Sequence, residues 1–181
     1  MNFKEWIIEE SSLSELYHSA VAAFPRTQKR QHATDPIKII ELKWTPFLGM
    51  KTLMVRGIAQ SEHKMYSPII LFKNVKYFTE AEINKNYISP DLVTLSSDEN
   101  TYYFNPLSSN TTEVLVRCNC NDFYWRGNFA NYLDKSLQGR KRKKYESKGI
   151  NPPANPDNAP MMCKHLMKMT MAINAARIFV D

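Results

Sequence analysis

Four donor side chains stand in two short pairs, Cys118-Asn119-Cys120 and Cys163-Lys164-His165. The chain has three cysteines and four histidines, so the two pairs take every thiol and one imidazole. Thiolate and neutral imidazole are donors that Zn²⁺ prefers, and Cys₃His is one of its closed tetrahedral shells. A closed shell leaves no position for water or substrate, so such a site holds a fold together and does not catalyse. Two other readings use the same residues. The thiols could be small buried hydrophobes with His165 exposed on a helix, or Cys118 and Cys120 could form a disulfide strained by its small ring. The pairing of the donors favours the metal reading over these two. His18, His32 and His63 have no acidic or thiol neighbour in sequence and are expected at the surface.

The two pairs need different backbones to aim their donors at one ion. Val114, Val116, Cys118 and Cys120 fall on one face of a strand, because side chains alternate with period two. On a helix, residues two apart point about 200° from each other. Cys163 and His165 can therefore converge only if Cys163 lies in the turn before a helix and His165 in its first turn. Pro160, just upstream, favours a helix start there. Leu166, Met169, Ile173 and Ala176 then make an apolar stripe that packs the helix beneath the metal.

The rest of the chain must supply the platform. Ser12-Leu13-Ser14-Glu15 reads as a capping box, followed by a helix face of Leu13, Leu16, Tyr17, Ala20, Val21 and Phe24 that Pro25 ends. Phe3, Trp6 and Ile7 form an apolar arm upstream, and residues 26–34 are polar and without period. Short β-branched and aromatic runs follow at Ile37–Trp44, Thr52–Ala59, Ile69–Val75 and Tyr102–Phe104, with turn signals at Thr45-Pro46, Leu48-Gly49 and Ser96–Asn100. Leu53, Val55, Gly57 and Ala59 alternate with their neighbours, which predicts one buried face. Glu80–Asn86 is expected as a short helix. The pattern is α+β: an N-terminal arm and helix (1–25), a small antiparallel β domain (26–111), and a metal module with a C-terminal helix (112–181).

Composition narrows the function classes. Hydrophobic residues at 43% and aromatics at 12% are those of a globular chain. No run approaches the roughly 18 apolar residues of a membrane span. Met1–Glu10 lacks the basic-then-apolar order of a secretory signal, and an odd cysteine count points to a reducing compartment. Residues 1–117 balance 13 basic against 13 acidic residues, whereas 118–181 hold 11 against 5. The whole excess of +6 sits in the metal-site third, much of it in Arg140-Lys141-Arg142-Lys143-Lys144. Such a run marks either a polyanionic partner or a solvated loop. Five glycines make no phosphate-cradling loop, and there is no G-x-S-x-G. Glu80 and Glu82, or Glu9 and Glu10, read as ordinary exposed charge, and no reaction is assigned.

The C-x-C, spacer, C-x-H order resembles the SWIM zinc finger. The likeness extends to Asp122 and Phe123 after the second cysteine, and to Lys164 and Leu166 around the histidine. It covers roughly residues 112–181 and implies Cys118, Cys120, Cys163 and His165 as ligands of a structural zinc ion. The spacer, Asn121–Met162, is 42 residues, longer than in most of that family. It is expected to be part helix (Tyr124–Leu137) and part extended Pro-rich arm (Asn151–Pro160). This spacer, with Phe24–Gln28 and Leu48–Leu53, is similar to SWIM-like proteins of tailed bacteriophages, especially marine ones. That resemblance implies a virion component, assembled in the host cytoplasm, whose partners are other protein subunits. It implies no membrane and no small-molecule substrate. The alternative is a nucleic-acid-binding protein that contacts DNA or RNA through Arg140–Lys144, where cations neutralise phosphates and nearby rings stack on unpaired bases.

Overall fold

The computed structural model describes residues 10–25, 33–83, 91–145 and 152–181. The apolar arm at Phe3, Trp6 and Ile7, most of the polar loop 26–34, and the end of the expected 80–86 helix lie outside the described residues.

Helix α1 spans Leu13–Ala23 and opens on the capping box: Ser12 Oγ accepts from the Glu15 N–H, and the Glu15 carboxylate accepts from the Ser12 N–H at 2.8 Å. Leu13, Leu16 and Ala20 are buried, while Tyr17 is mostly outside the core. The chain before the helix bonds to the start of strand β8 (Val114–Arg117), through Val114 N–H to Ser11 O at 3.1 Å.

Strands β1 (Ile37–Phe47), β2 (Thr52–Ser61), β4 (Ile69–Phe72) and β8 lie in that order in an antiparallel sheet of five strands, with β3 (Lys64–Tyr66) pairing with the end of β2. Leu53, Val55, Gly57 and Ala59 are buried as the alternation requires, although Met54 is covered too. Thr45-Pro46 is not a turn: Pro46 lies inside β1 opposite Leu53. As the edge strand, β1 can carry a residue without an N–H. The chain turns instead at the 3₁₀ segment Leu48–Met50, with Lys51 left-handed at φ 50°. The run expected to reach Val75 leaves the sheet at Phe72, and Val75 is buried as a loop residue.

A separate three-stranded sheet has the order β5 (Tyr77–Phe78), β7 (Asn100–Phe104), β6 (Val93–Ser97). Asp98 and Glu99, at φ 48° and 64°, make the two-residue loop between β6 and β7, the twist that right-handed strands favour. Ser97 Oγ donates to Trp44 O and Tyr77 Oη to Thr52 O, both at 2.8 Å, which ties this sheet to the first. A short helix, α2 (Glu80–Ile83), follows β5.

The insert departs from the expected helix 124–137. A π-helical turn, Phe123–Gly127, runs into α3 (Asn128–Leu133), and Lys135 at φ 62° ends it. Ser136–Gln138 then pair in parallel with β8: Val116 N–H donates to Ser136 O at 2.8 Å and Gln138 N–H to Val116 O at 3.1 Å. An exposed sheet edge offered better partners to this backbone than another helical turn. Nor is the Pro-rich stretch an outstretched arm in its described part. Asn155 folds it back, donating to Arg126 O at 3.0 Å and Ala159 O at 2.8 Å.

Helix α4 (Lys164–Ala175) lies against β1 and β2. Leu166, Met169 and Ile173 are fully buried, but Ala176 is the exposed C-cap and leaves the stripe one residue short. Gly57 permits this packing, since a Cβ there would stand 3.1 Å from Met169 Sδ and 3.2 Å from Pro68 Cγ. One hydrophobic cluster takes side chains from all three stretches of the sequence, from Leu13 and Leu16 through Phe72 and Phe104 to Leu166 and Ile173.

Candidate metal centre

The last residues of β8 carry the chain to the first donor pair. Val114 and Val116 point into the core, and the alternation continues past the strand end, with Cys118 and Cys120 inward and Asn119 outward. The Asn119 side-chain Oδ1 accepts from the Ser67 N–H at 2.8 Å, which fixes the middle of the pair to the β3–β4 loop. Cys163 is the N-cap of α4, with extended backbone at φ −81° and ψ 165°, and His165 sits in the first turn. That is the geometry a C-x-H pair needs to converge.

The three sulfurs and the imidazole lie within 4.8 Å of one another, and all four residues are buried. Cys118 Sγ is 3.9 Å from His165 Nδ1. A tetrahedral zinc shell places its donors about 3.5–3.8 Å apart, from Zn–S near 2.3 Å and Zn–N near 2.0–2.1 Å. This is a buried Cys₃His group positioned to hold a metal ion, and its donor set is consistent with zinc. The thiols are too well gathered around the imidazole to be unrelated small hydrophobes, and all three are free.

The electrostatics favour a cation as well. Burial pushes the Cys163 thiol well above its ordinary value. The hydrogen bond to Cys120 raises Cys118, while bonds from Cys118, Cys163 and the Phe123 N–H (3.3 Å) hold Cys120 low. Burial disfavours thiolate charge in such an enclosure, and a bound cation would offset that penalty. His165 presents Nδ1 to the thiols, and its buried Nε2 has no hydrogen-bond partner among the described residues. The Tyr66 ring stacks on the imidazole, with centroids 4.0 Å apart and planes at 28°. Nothing local in the sequence marks Tyr66 or Asn119 for these roles. They follow from the β2–β3–β4 pairing, which sets Tyr66 opposite Ala59.

The other singled-out residues, Arg140–Lys144, follow the helical insert along the chain and supply none of the four donors. Arg117 donates from its guanidinium to Gln138 O and Arg140 O, anchoring the start of the run. The Arg142 N–H donates to Asn128 Oδ1 at 2.7 Å, and its guanidinium donates to Trp125 O at 2.8 Å. Arg140, Lys141, Lys143 and Lys144 are exposed. Lys141 Nζ stands 4.1 Å from the Tyr132 ring centre, and the Arg142 guanidinium lies over Tyr124 and Trp125 at 5.3 and 5.1 Å. The aromatic residues of the insert were visible in the sequence, but the π-helical turn that sets Tyr124 and Trp125 side by side on the surface was not.

Among the described residues no helix is long and apolar enough to cross a membrane. No protein family, curated protein or solved structure matches the chain.

Proposed function

We propose that this chain is a non-catalytic structural protein whose C-terminal third is locked by one zinc ion. It acts as a subunit of a larger assembly, the virion of a tailed phage being the setting that its sequence resemblance implies. The observation that carries the structural part is the convergence of four buried protein donors from both ends of a long insert. Four protein donors fill a tetrahedral shell, which is the arrangement of a structural zinc and not of a catalytic one. The ion would pin the end of β8 to the start of α4 without a disulfide, as a reducing host cell requires. Cys118, Cys120, Cys163 and His165 would hold it, with Tyr66 and the Phe123 N–H shielding the imidazole and one sulfur.

Elemental analysis of the purified chain should find about one zinc per polypeptide, and Cys163→Ser should abolish stoichiometric binding. Zinc retained at full occupancy by that variant would overturn the site. Membership of a particle is tested separately, by mass spectrometry of gradient-purified, salt-washed virions from cells expressing the chain during infection. A fixed copy number relative to the major shell protein supports the assembly role, and loss of the chain on washing refutes it.

A second reading, contact with nucleic acid through Arg140–Lys144, is favoured by one arrangement. The run is fastened at Arg140 O and at Arg142, which holds exposed cations beside aromatic rings.

A further inference from the structure

We infer that the surface formed by the π-helical turn, the basic run and the folded-back Pro-rich segment is a binding site for single-stranded nucleic acid. The inference rests on the nucleic-acid reading above and specifies its ligand and its contact residues.

A solvated run of charge has no reason to be tied down at its middle. Here Arg142 is a fastener: its backbone bonds to Asn128, its guanidinium bonds to Trp125 O, and its plane covers part of the Tyr124 and Trp125 rings. Residues on either side of it are thereby set at defined places along the insert, with their charges outward. Phosphates spaced along a flexible strand are the complement of such a row.

The rings beside the row stay partly open, each with a cation over it. Tyr124 and Trp125 are each 47% exposed, and Tyr132 is 43% exposed. Phe123 and Gly127, four residues apart, stay buried, which leaves the two consecutive rings after Phe123 on the outer face of the π-helical turn. Beneath Trp125 a groove of about 220 Å³ runs between the helix and the Pro-rich segment, lined by Trp125, Phe129, Arg142, Lys144, Tyr145 and Pro156 among others. Among the described residues, no carboxylate lines it. Asp122, at the start of the helical insert, is paired with Arg126 at 3.1 Å, and Asp157 stands in the chain between the lining residues Pro156 and Asn158.

Cations alone would suit duplex DNA or an acidic protein equally. Exposed aromatic faces distinguish the ligand, since only unstacked bases offer π-faces to them. The helix beside the row offers no base-reading face to a major groove: α3 is six residues long and buries Asn128, Ala130 and Asn131. The observations thus favour a strand whose phosphates follow Arg140–Lys144 and whose bases stack on Trp125 and its neighbours.

The test uses the full-length, zinc-loaded chain and fluorescein-labelled oligothymidylate, with a duplex of equal length for comparison, read by fluorescence anisotropy across a salt series. The single strand should bind at least about tenfold more tightly than the duplex. Its affinity should fall with a log–log salt slope of about −0.7 per phosphate contacted. Trp125→Ala should weaken single-strand binding roughly 5- to 100-fold with the salt slope unchanged, because stacking and not charge is lost. Replacing Lys141, Lys143 and Lys144 together by Ser should flatten the slope. Zinc content and circular dichroism confirm that each variant is folded, and Trp125→Phe should restore most of the affinity. Absence of binding to either probe at low salt overturns both the nucleic-acid reading and this inference. Equal binding of duplex and single strand, indifferent to Trp125→Ala, overturns the inference and leaves the broader reading standing. Oligoglutamate that binds as tightly as oligothymidylate would overturn it in favour of an acidic protein surface.

Discussion

The two sheets of this protein use similar residues and are held by different means. In the larger one, Leu53, Val55, Ile70, Phe72, Val114 and Val116 are all buried completely, and the strand that ends it leads straight into the donor cluster. In the smaller one, only Phe104 among the strand residues is fully covered, and Val93, Leu95 and Tyr77 sit at the margin of the core. The larger sheet is closed by contacts distant in sequence, with α1 before it and α4 after it. The smaller is held by a tight local turn and two tethers, Ser97 to Trp44 and Tyr77 to Thr52. Burial and the donor cluster therefore go with the larger sheet, and local geometry governs the smaller.

Stripping the metal with a chelator should separate the two regions most sharply. Amide exchange in β8 and the first turns of α4 should accelerate by orders of magnitude, and the melting temperature should fall by roughly 8–16 °C for a loss of about 4 kcal/mol. Because one cluster includes Leu13, Phe72 and Leu166, the loss should reach α1 and β4 and not stop at the C-terminal third. Unchanged protection in β4 would show that the metal staples only its own neighbourhood.

Side-chain truncation gives the next contrast. Phe72→Ala should cost about 3–5 kcal/mol in denaturant unfolding, since Phe72 is fully enclosed and meets Phe179 edge-on at 5.8 Å. Leu95→Ala, at the margin of the smaller sheet, should cost about 1 kcal/mol. Equal losses would erase the distinction between the sheets.

Gly127→Ala should be destabilising by about 1–3 kcal/mol, because the new Cβ would sit 2.9 Å from the Phe123 ring and 3.3 Å from Met161. Zinc affinity should fall with it, since the Phe123 N–H bonds to Cys120. The smallest effect should come from Glu99→Gly. Relieving a left-handed residue in the β6–β7 turn should raise stability by about 0.5–1 kcal/mol and slow exchange in those two strands alone.

Much of this was legible from residues close in sequence. The capping box at Ser12–Glu15, the alternation of Leu53 to Ala59 and the C-x-C and C-x-H pairs each report a local geometry, and each is met in the fold. Pro46 misled because a proline says that a strand lacks one donor, not that it stops. Whether that is tolerated depends on being at an edge, which is a property of the sheet. Leu137 misled for a related reason: its apolar side chain fits a helix or a strand, and the free edge of β8 decided between them.

By itself, then, the amino-acid order specified which side chains can bind a metal and which backbone each pair needs, because donor chemistry and side-chain period are properties of a few adjacent residues. Only the tertiary structure settled what encloses that group. The stacking of Tyr66 on His165, the tether from Ser67 to Asn119 and the fastening of the basic run by Arg142 join residues far apart along the chain. Such contacts depend on strand pairing and helix packing across the whole molecule, and no local pattern encodes them.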